Sequence, residues 1–335
     1  MSQEVNYSQE VIKKKILIIA NKSWEADPLI NVFLNDKVCP EGFGQFNIKN
    51  HPFPEERKRK DYPNNPIPSS RIKFEYNAII VKGNVIKKIT AEVVVCCIQD
   101  LMNPALSYSN TREKIRILPK IFEEVENPDY IIAFGTAGFP DPTNYDGCAV
   151  VGTQAFIHNP YADNREFKSE SDWPHDWDDY LDTLLESSLT DYPGGFFRKI
   201  SSDVHYHAEG RMLRSPLNPA RPPVIIHGAR YVALGIVNVI DYDHYVWADQ
   251  QAIDIMKSKY KNEPIGSVET THGVIRLVAE EVYRTKPPFL FVSGITDRVK
   301  YFDMELVPRS YGQNFVASHN AGVSLAWLIP ELAKF

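Results

Sequence analysis

Short, almost uninterrupted apolar runs, each closed by turn residues, recur along this chain and constrain its fold more than any other feature. They are Ile16–Ala20, Asn77–Lys82, Glu92–Gln99, Tyr130–Phe134, Cys148–Thr153, Val224–His227, Val232–Ile240 and Phe289–Val292. Strands apolar on both sides of the pleat belong in a sheet covered on both faces. Between them lie stretches with helical spacing. Thr111–Glu126 aligns Ile115, Leu118, Ile121, Phe122 and Val125, and Val268–Arg284 aligns Val274, Leu277, Val278 and Val282. Gln313–Leu328 is small or apolar almost all round, which predicts a largely buried helix closed by Pro330. Alternating strands and helices predict an α/β three-layer sandwich, with a central mixed, mostly parallel β-sheet flanked by helices.

The 335 residues carry 37 basic and 43 acidic side chains, a formal net charge of −6. That balance gives no electrostatic reason to expect a nucleic-acid or membrane partner. The apolar runs are strand-sized, well short of the roughly 20 residues of a membrane helix. The N-terminal MSQEVNYSQEVIKKK has no apolar signal core, so a cytoplasmic protein is expected. Cys39, Cys96, Cys97 and Cys148 have no metal-ligand spacing, and Cys96 and Cys97 read as buried thiols of a reduced compartment. With no repeat and no Gly/Ser linker, residues 1–335 read as one domain with two interruptions. His51–Arg71 is rich in proline and charge and is predicted to be an exposed loop. Its Arg57–Lys60 cluster reads as a solvated charge run, or alternatively as a phosphate contact. Tyr161–Pro223 is polar and aromatic, with a short helix at Trp177–Ser187, and reads as an insertion or lid.

Five segments concentrate the residues that chemistry needs. KILIIANKSWEADPL (Lys15–Leu29) is a strand, a loop and a helix start that carries Glu25 in its first turn, where an acid is favourable in any case. PDYIIAFGTAGFPDP (Pro128–Pro142) runs a strand into Gly135-Thr136-Ala137-Gly138. Small residues there let the backbone approach a ligand or an anion closely. NVIDYDHYVWAD (Asn238–Asp249) is aromatic, and IGSVETTHGVIRLVAEEV (Ile265–Val282) opens a helix with Val268, Glu269 and His272. PFLFVSGITDRVKYFD (Pro288–Asp303) ends a buried strand in Thr296 and Asp297.

In this order the segments resemble the nucleoside phosphorylase/nucleosidase superfamily, which includes purine nucleoside phosphorylases and methylthioadenosine nucleosidases. The resemblance spans roughly Lys15 to Leu328. It implies that Asp297 protonates the departing base at N7, with Thr296 in place of the usual serine. It implies that Glu269 accepts both ribose hydroxyls, with Val268 against the sugar face, and that Gly135, Thr136 and Gly138 line the sugar or nucleophile. Tyr245 would stack on the base and Val246 read its edge, with Tyr242 and His244 as alternatives. Glu25 would hold the attacking water, as in the hydrolytic members. The loop before it has Lys22 but none of the phosphate-binding arginine of the phosphorolytic members. Two departures stand out. Ser293 occupies the position of an arginine common in the hydrolases, and His272 the position of an alanine, where it either orients Glu269 or packs in the core.

Breaking an N-glycosidic bond builds positive charge on the ribose and negative charge on the base. An acid at the base, an anionic cradle at the sugar and a nucleophile below the ring are what it requires. The expected activity is therefore hydrolysis of a purine nucleoside or nucleotide, with no metal and no organic cofactor. One alternative is phosphorolysis with orthophosphate held by Lys22, Arg112 or Arg298. Another is a non-catalytic nucleoside sensor. A homo-oligomer is expected by resemblance.

Overall fold

The computed structural model describes residues 8–35, 45–50, 70–103, 105–106, 111–140, 146–152, 154–158, 167–168, 225–226, 231–235, 250, 253–254, 257–258, 265–301 and 311–334. The parallel heart of the sheet is built from four strands: β1 (Ser8–Ala20), β4 (Val85–Cys97), β5 (Tyr130–Phe139) and β12 (Phe289–Arg298). β1 pairs in parallel with β4 on one side and β5 on the other, and β5 pairs in parallel with β12. β2 (Gln45–Asn50) and β3 (Ser70–Lys82) extend the sheet beyond β4 with antiparallel pairing. Beyond β12 lie β6 (Ala149–Gly152), antiparallel to it, and β9 (Ile225–Ile226), parallel to β6. β11 (Ile265–Glu269) meets β5 at one pair, Val268 opposite Gly138, and leads on to β10 (Tyr231–Gly235), β7 (Gln154–His158) and β8 (Phe167–Lys168). The mixed sheet with a mostly parallel centre is the one the apolar runs predict.

Alternation along β1 divides the core in two. Ile16, Ile18 and Ala20 face α1 (Ser23–Phe33) and α4 (Tyr311–Lys334). Leu17 and Ile19 face α2 (Thr111–Phe122) and α3 (His272–Val282). Period-two side chains fill both faces, which is why these strands are apolar throughout. Two glycines bring α4 unusually close to its neighbours. A Cβ on Gly294 of β12 would stand 2.2 Å from the Ala317 carbonyl oxygen, and one on Gly322 would stand 3.3 Å from Leu29 Cα of α1.

Several expectations are corrected. The strands at Ile16, Asn77 and Glu92 begin earlier, at Ser8, Ser70 and Val85, because their outer halves alternate and lie on a half-covered part of the sheet. Ser70 and Arg71 belong to β3 rather than to an exposed loop. Arg71 donates through Nε and Nη2 to the two oxygens of Asp100, at 2.9 and 2.7 Å, and through Nη1 to Asp27. Val268 and Glu269 close a strand, and the helix opens only at His272. Pro330 does not end the last helix, which runs on to Lys334. A proline so near the C-terminus interrupts only the final turn, and the helix is otherwise held by burial. Ile115 is exposed, and the inward face of α2 is instead Lys114, Ile117, Leu118, Ile121 and Phe122. Cys96 and Cys97 are buried free thiols, as expected. Among the described residues, no helix is long and apolar enough to cross a membrane. Cys39, Arg57–Lys60, Trp177–Ser187 and all of Tyr161–Pro223 except Phe167–Lys168 lie outside the described residues.

Candidate active site

The tract Gly135-Thr136-Ala137-Gly138 lies in the second half of β5, past the point where β1 ends, so its backbone is open to groups arriving from other elements. Glu25 reaches it from α1. Glu25 is the third residue of that helix, and its carboxylate spans the gap between the helix start and the sheet. Oε2 accepts the amides of Asn21 (3.1 Å) and Lys22 (2.9 Å), and Oε1 accepts the amide (2.9 Å) and hydroxyl (2.8 Å) of Thr136. One side chain, 2 % exposed, thus ties the helix start to the strand tract.

Asp297 approaches the other end of the tract. It stands opposite Gly138 in the β5–β12 ladder, after a register shift between Ile295 and Asp297. A bulge of this kind bends a strand and re-aims the side chain that follows. Asp297 is buried, and the Thr296 hydroxyl donates to its Oδ1 at 2.7 Å. Its Oδ2 is 3.1 Å from where a Gly138 Cβ would stand, and the carbonyl oxygen of Val268 is 3.8 Å from the same point. Glycine at 138 thus leaves room for the Asp297 carboxylate and for Val299, whose Cγ2 lies 3.0 Å from the same point.

Glu269 closes the third side. Its Oε2 accepts the Thr271 amide at 2.6 Å and its Oε1 accepts the His272 amide, so it holds the start of α3. Two amides leave a carboxylate with lone pairs in hand. His272 follows, 1 % exposed, with Nδ1 3.7 Å from Glu269 Oε1.

Lys114 joins this cluster unexpectedly. It is fully buried on α2 and donates to the Thr271 hydroxyl (2.7 Å), the Thr270 hydroxyl (3.3 Å) and the Thr270 carbonyl (3.4 Å). Burial pushes its ammonium down to about 7, opposed by Glu269 and Glu25 and reinforced by Lys22. The signal was available: the stripe Ile117/Leu118, Ile121/Phe122 continues one turn back to position 114. Of the predicted anion ligands, Arg112 is exposed, Arg298 lies 4.0 Å from the Tyr301 ring centre, and the Lys22 ammonium lies 4.9 Å from that of Trp24. Tyr242, His244, Tyr245 and Val246 lie outside the described residues. Among the described residues no cluster of His, Cys, Asp and Glu is arranged to hold a metal ion.

No family model and no curated protein matches the chain. Solved structures similar to it include 5′-methylthioadenosine/S-adenosylhomocysteine nucleosidase from Neisseria meningitidis in complex with methylthio-immucillin-A. That pair is 11% identical over 95% of this chain and 99% of the other, with a TM-score of 0.48. The 5′-methylthioadenosine nucleosidase of Arabidopsis thaliana is 14% identical over 94% of each chain, with a TM-score of 0.45. The futalosine hydrolase of Helicobacter pylori is 13% identical over 95% of this chain and 98% of its own, with a TM-score of 0.42.

Proposed function

We propose that this chain is a hydrolytic N-glycosidase that releases the base from a purine nucleoside or nucleotide. One observation carries the reading: two buried carboxylates, from α1 and β12, converge on Gly135–Gly138, and a third, Glu269, ends β11 beside them. Glu25 binds Thr136, Asp297 lies against Gly138, and Glu269 stands beside His272, which reaches Gly135. Three acids around a glycine-rich backbone suit a reaction that separates charge across a C–N bond. In this scheme Asp297 gives its proton to the base as the C1′–N bond breaks. Glu269 takes the 2′- and 3′-hydroxyls with the lone pairs its two amides leave. Glu25 takes a proton from water as the water oxygen bonds to C1′.

The crowding of Glu25 sharpens its role. Each oxygen already accepts two hydrogen bonds, and three of the four donors are backbone amides fixed in place. The Thr136 hydroxyl alone rotates about a single bond, so water would reach Oε1 as that hydroxyl turns aside. One observation favours phosphorolysis as a second reading: Lys114 feels the charges of both Lys22 and Glu25, so two lysines gather within electrostatic reach of one another beside that carboxylate.

The test is base release from adenosine, AMP, ATP and methylthioadenosine, with and without orthophosphate. Hydrolysis predicts free base and free pentose in phosphate-free buffer. Turnover only with phosphate, giving a pentose 1-phosphate, would replace water by phosphate. Asp297→Asn is expected to slow release by about 10²–10⁴. Binding without turnover by either protein would support the sensor instead.

A further inference from the structure

His272 is a buried ionisable group for which this scheme has no use, and its surroundings give it one. The ring sits between two carboxylates carried by different elements. On one edge, Nδ1 lies 3.4 Å from Ser293 Oγ and 3.7 Å from Glu269 Oε1. On the other, Nε2 lies 3.3 Å from the point a Gly135 Cβ would occupy, and Glu25 Oε1 lies 3.1 Å from that same point. The absence of a side chain at Gly135 is what lets Glu25 and the imidazole share this space.

We propose that His272 is a positioning residue for Glu25, a neutral imidazole whose Nε2–H is directed toward the Glu25 carboxylate and the water it orients. This rests on the hydrolytic reading above. A chain of hydroxyls assigns the tautomer. Ser267 Oγ donates to Ser293 Oγ at 3.3 Å, so the Ser293 proton is available to an acceptor, and Nδ1 is the acceptor in reach. With Nδ1 accepting, the ring proton belongs on Nε2. Neutrality follows from the setting. The ring is buried and lies 5.8 Å from the Phe291 ring centre. Burial holds the imidazole below its usual range, Lys114 on α2 acts in the same sense, and Glu269 on β11 and Glu25 on α1 oppose both. A neutral N–H donor orients a carboxylate without cancelling the charge that a base needs. An imidazolium there would form an ion pair with Glu25 and weaken it.

Three variants of the full chain separate this from simple packing. His272→Phe keeps a flat ring without the donor, His272→Gln restores an N–H near the Nε2 position, and Ser293→Ala removes the tautomer lock. The expected result is a fall in kcat of about 10- to 100-fold for His272→Phe, the worth of one hydrogen bond to a charged group. KM should change little. The acid limb of the kcat–pH profile should move up, because the N–H dipole directed at the carboxylate is lost, and His272→Gln should recover most of both. Equal losses in the Phe and Gln variants, or an unmoved acid limb with altered KM, would overturn the proposal. Nitrogen-15 NMR of histidine-labelled wild type, with the His272 signal assigned through its shift in Ser293→Ala, reads the tautomer without depending on any His272 variant folding. Protonation at Nε2 is expected, and protonation at Nδ1 overturns the proposal. A wild type that releases no base refutes the hydrolytic reading, whereas an active wild type with an Nδ1–H ring refutes this inference alone.

Discussion

Glu25 and Glu269 are both carboxylates at the start of a helix, yet the protein treats them differently. Glu25 is inside its helix and receives four hydrogen bonds from two elements. Glu269 stands before its helix, at the end of a strand, and receives two amides from the turn that follows. In the proposed scheme the first is fixed in direction by three amides and opened only by rotation of the Thr136 hydroxyl, which suits a base that must aim at one atom. The second is anchored on one side, which suits a group that must accept hydroxyls from a ligand. In the proposed scheme the same local chemistry, an acid near a helix N-terminus, serves aim in one place and reception in the other.

The sharpest way to break this contrast is Glu25→Gln, which keeps a similar shape but removes the proposed base. A loss of about 10²–10⁴ in kcat is expected, with KM largely retained. A change confined to KM would mean that Glu25 only caps α1. Glu269→Gln should cost less, on the order of 10- to 100-fold in kcat/KM, and only for substrates that carry ribose hydroxyls. Equal losses on a ribonucleoside and its 2′,3′-dideoxy analogue would remove the reception role.

Lys114 tests the support beneath Glu269 through stability. Its folded-state value of about 7 lies below the ordinary lysine value of 10.5, so between these pH values the unfolded chain binds more protons than the folded one. Stability should therefore rise as pH increases from 7 to 10.5, with the burial cost of the charge felt in full below 7. Urea denaturation of wild type and Lys114→Met across that range should reveal a difference growing in favour of wild type, on the order of a few kcal/mol. A pH-independent difference would count against a titrating Lys114. The smallest effect expected is from Thr136→Val. Losing one of four donors should lower kcat by roughly threefold to tenfold, and an unchanged rate would mean that the rotating hydroxyl plays no part in admitting water.

The parts of the site carried by long apolar strands were the most legible. Gly135–Gly138 and Asp297 follow runs whose burial on both faces leaves little choice of element, and the structure brings them together as the sequence suggested. Glu269 was found as a residue but assigned to the wrong element, because β11 has only five residues and its apolar pattern merges with that of α3. Lys114 escaped because a lysine on an apolar stripe is ordinarily a solvated end. Here Thr270 and Thr271, far away in sequence, supply the oxygens that make its burial tolerable. The Thr296 bulge, which sets where Asp297 points, exists only in the pairing of β12 with β5 and has no signature within either strand.

The close approaches of Gly294 and Gly322 to their neighbours have a mechanical meaning. Gly294 seats β12, which carries Asp297, on Ala317 of α4, and Gly322 of the same helix seats α1, which carries Glu25. Five residues of helix separate the two seats, about 7.5 Å of rise. Such contacts have few side-chain rotamers in which to absorb a displacement. α4 therefore acts as a gauge block, and the spacing between Asp297 and Glu25 is set on a helix that supplies none of the three carboxylates.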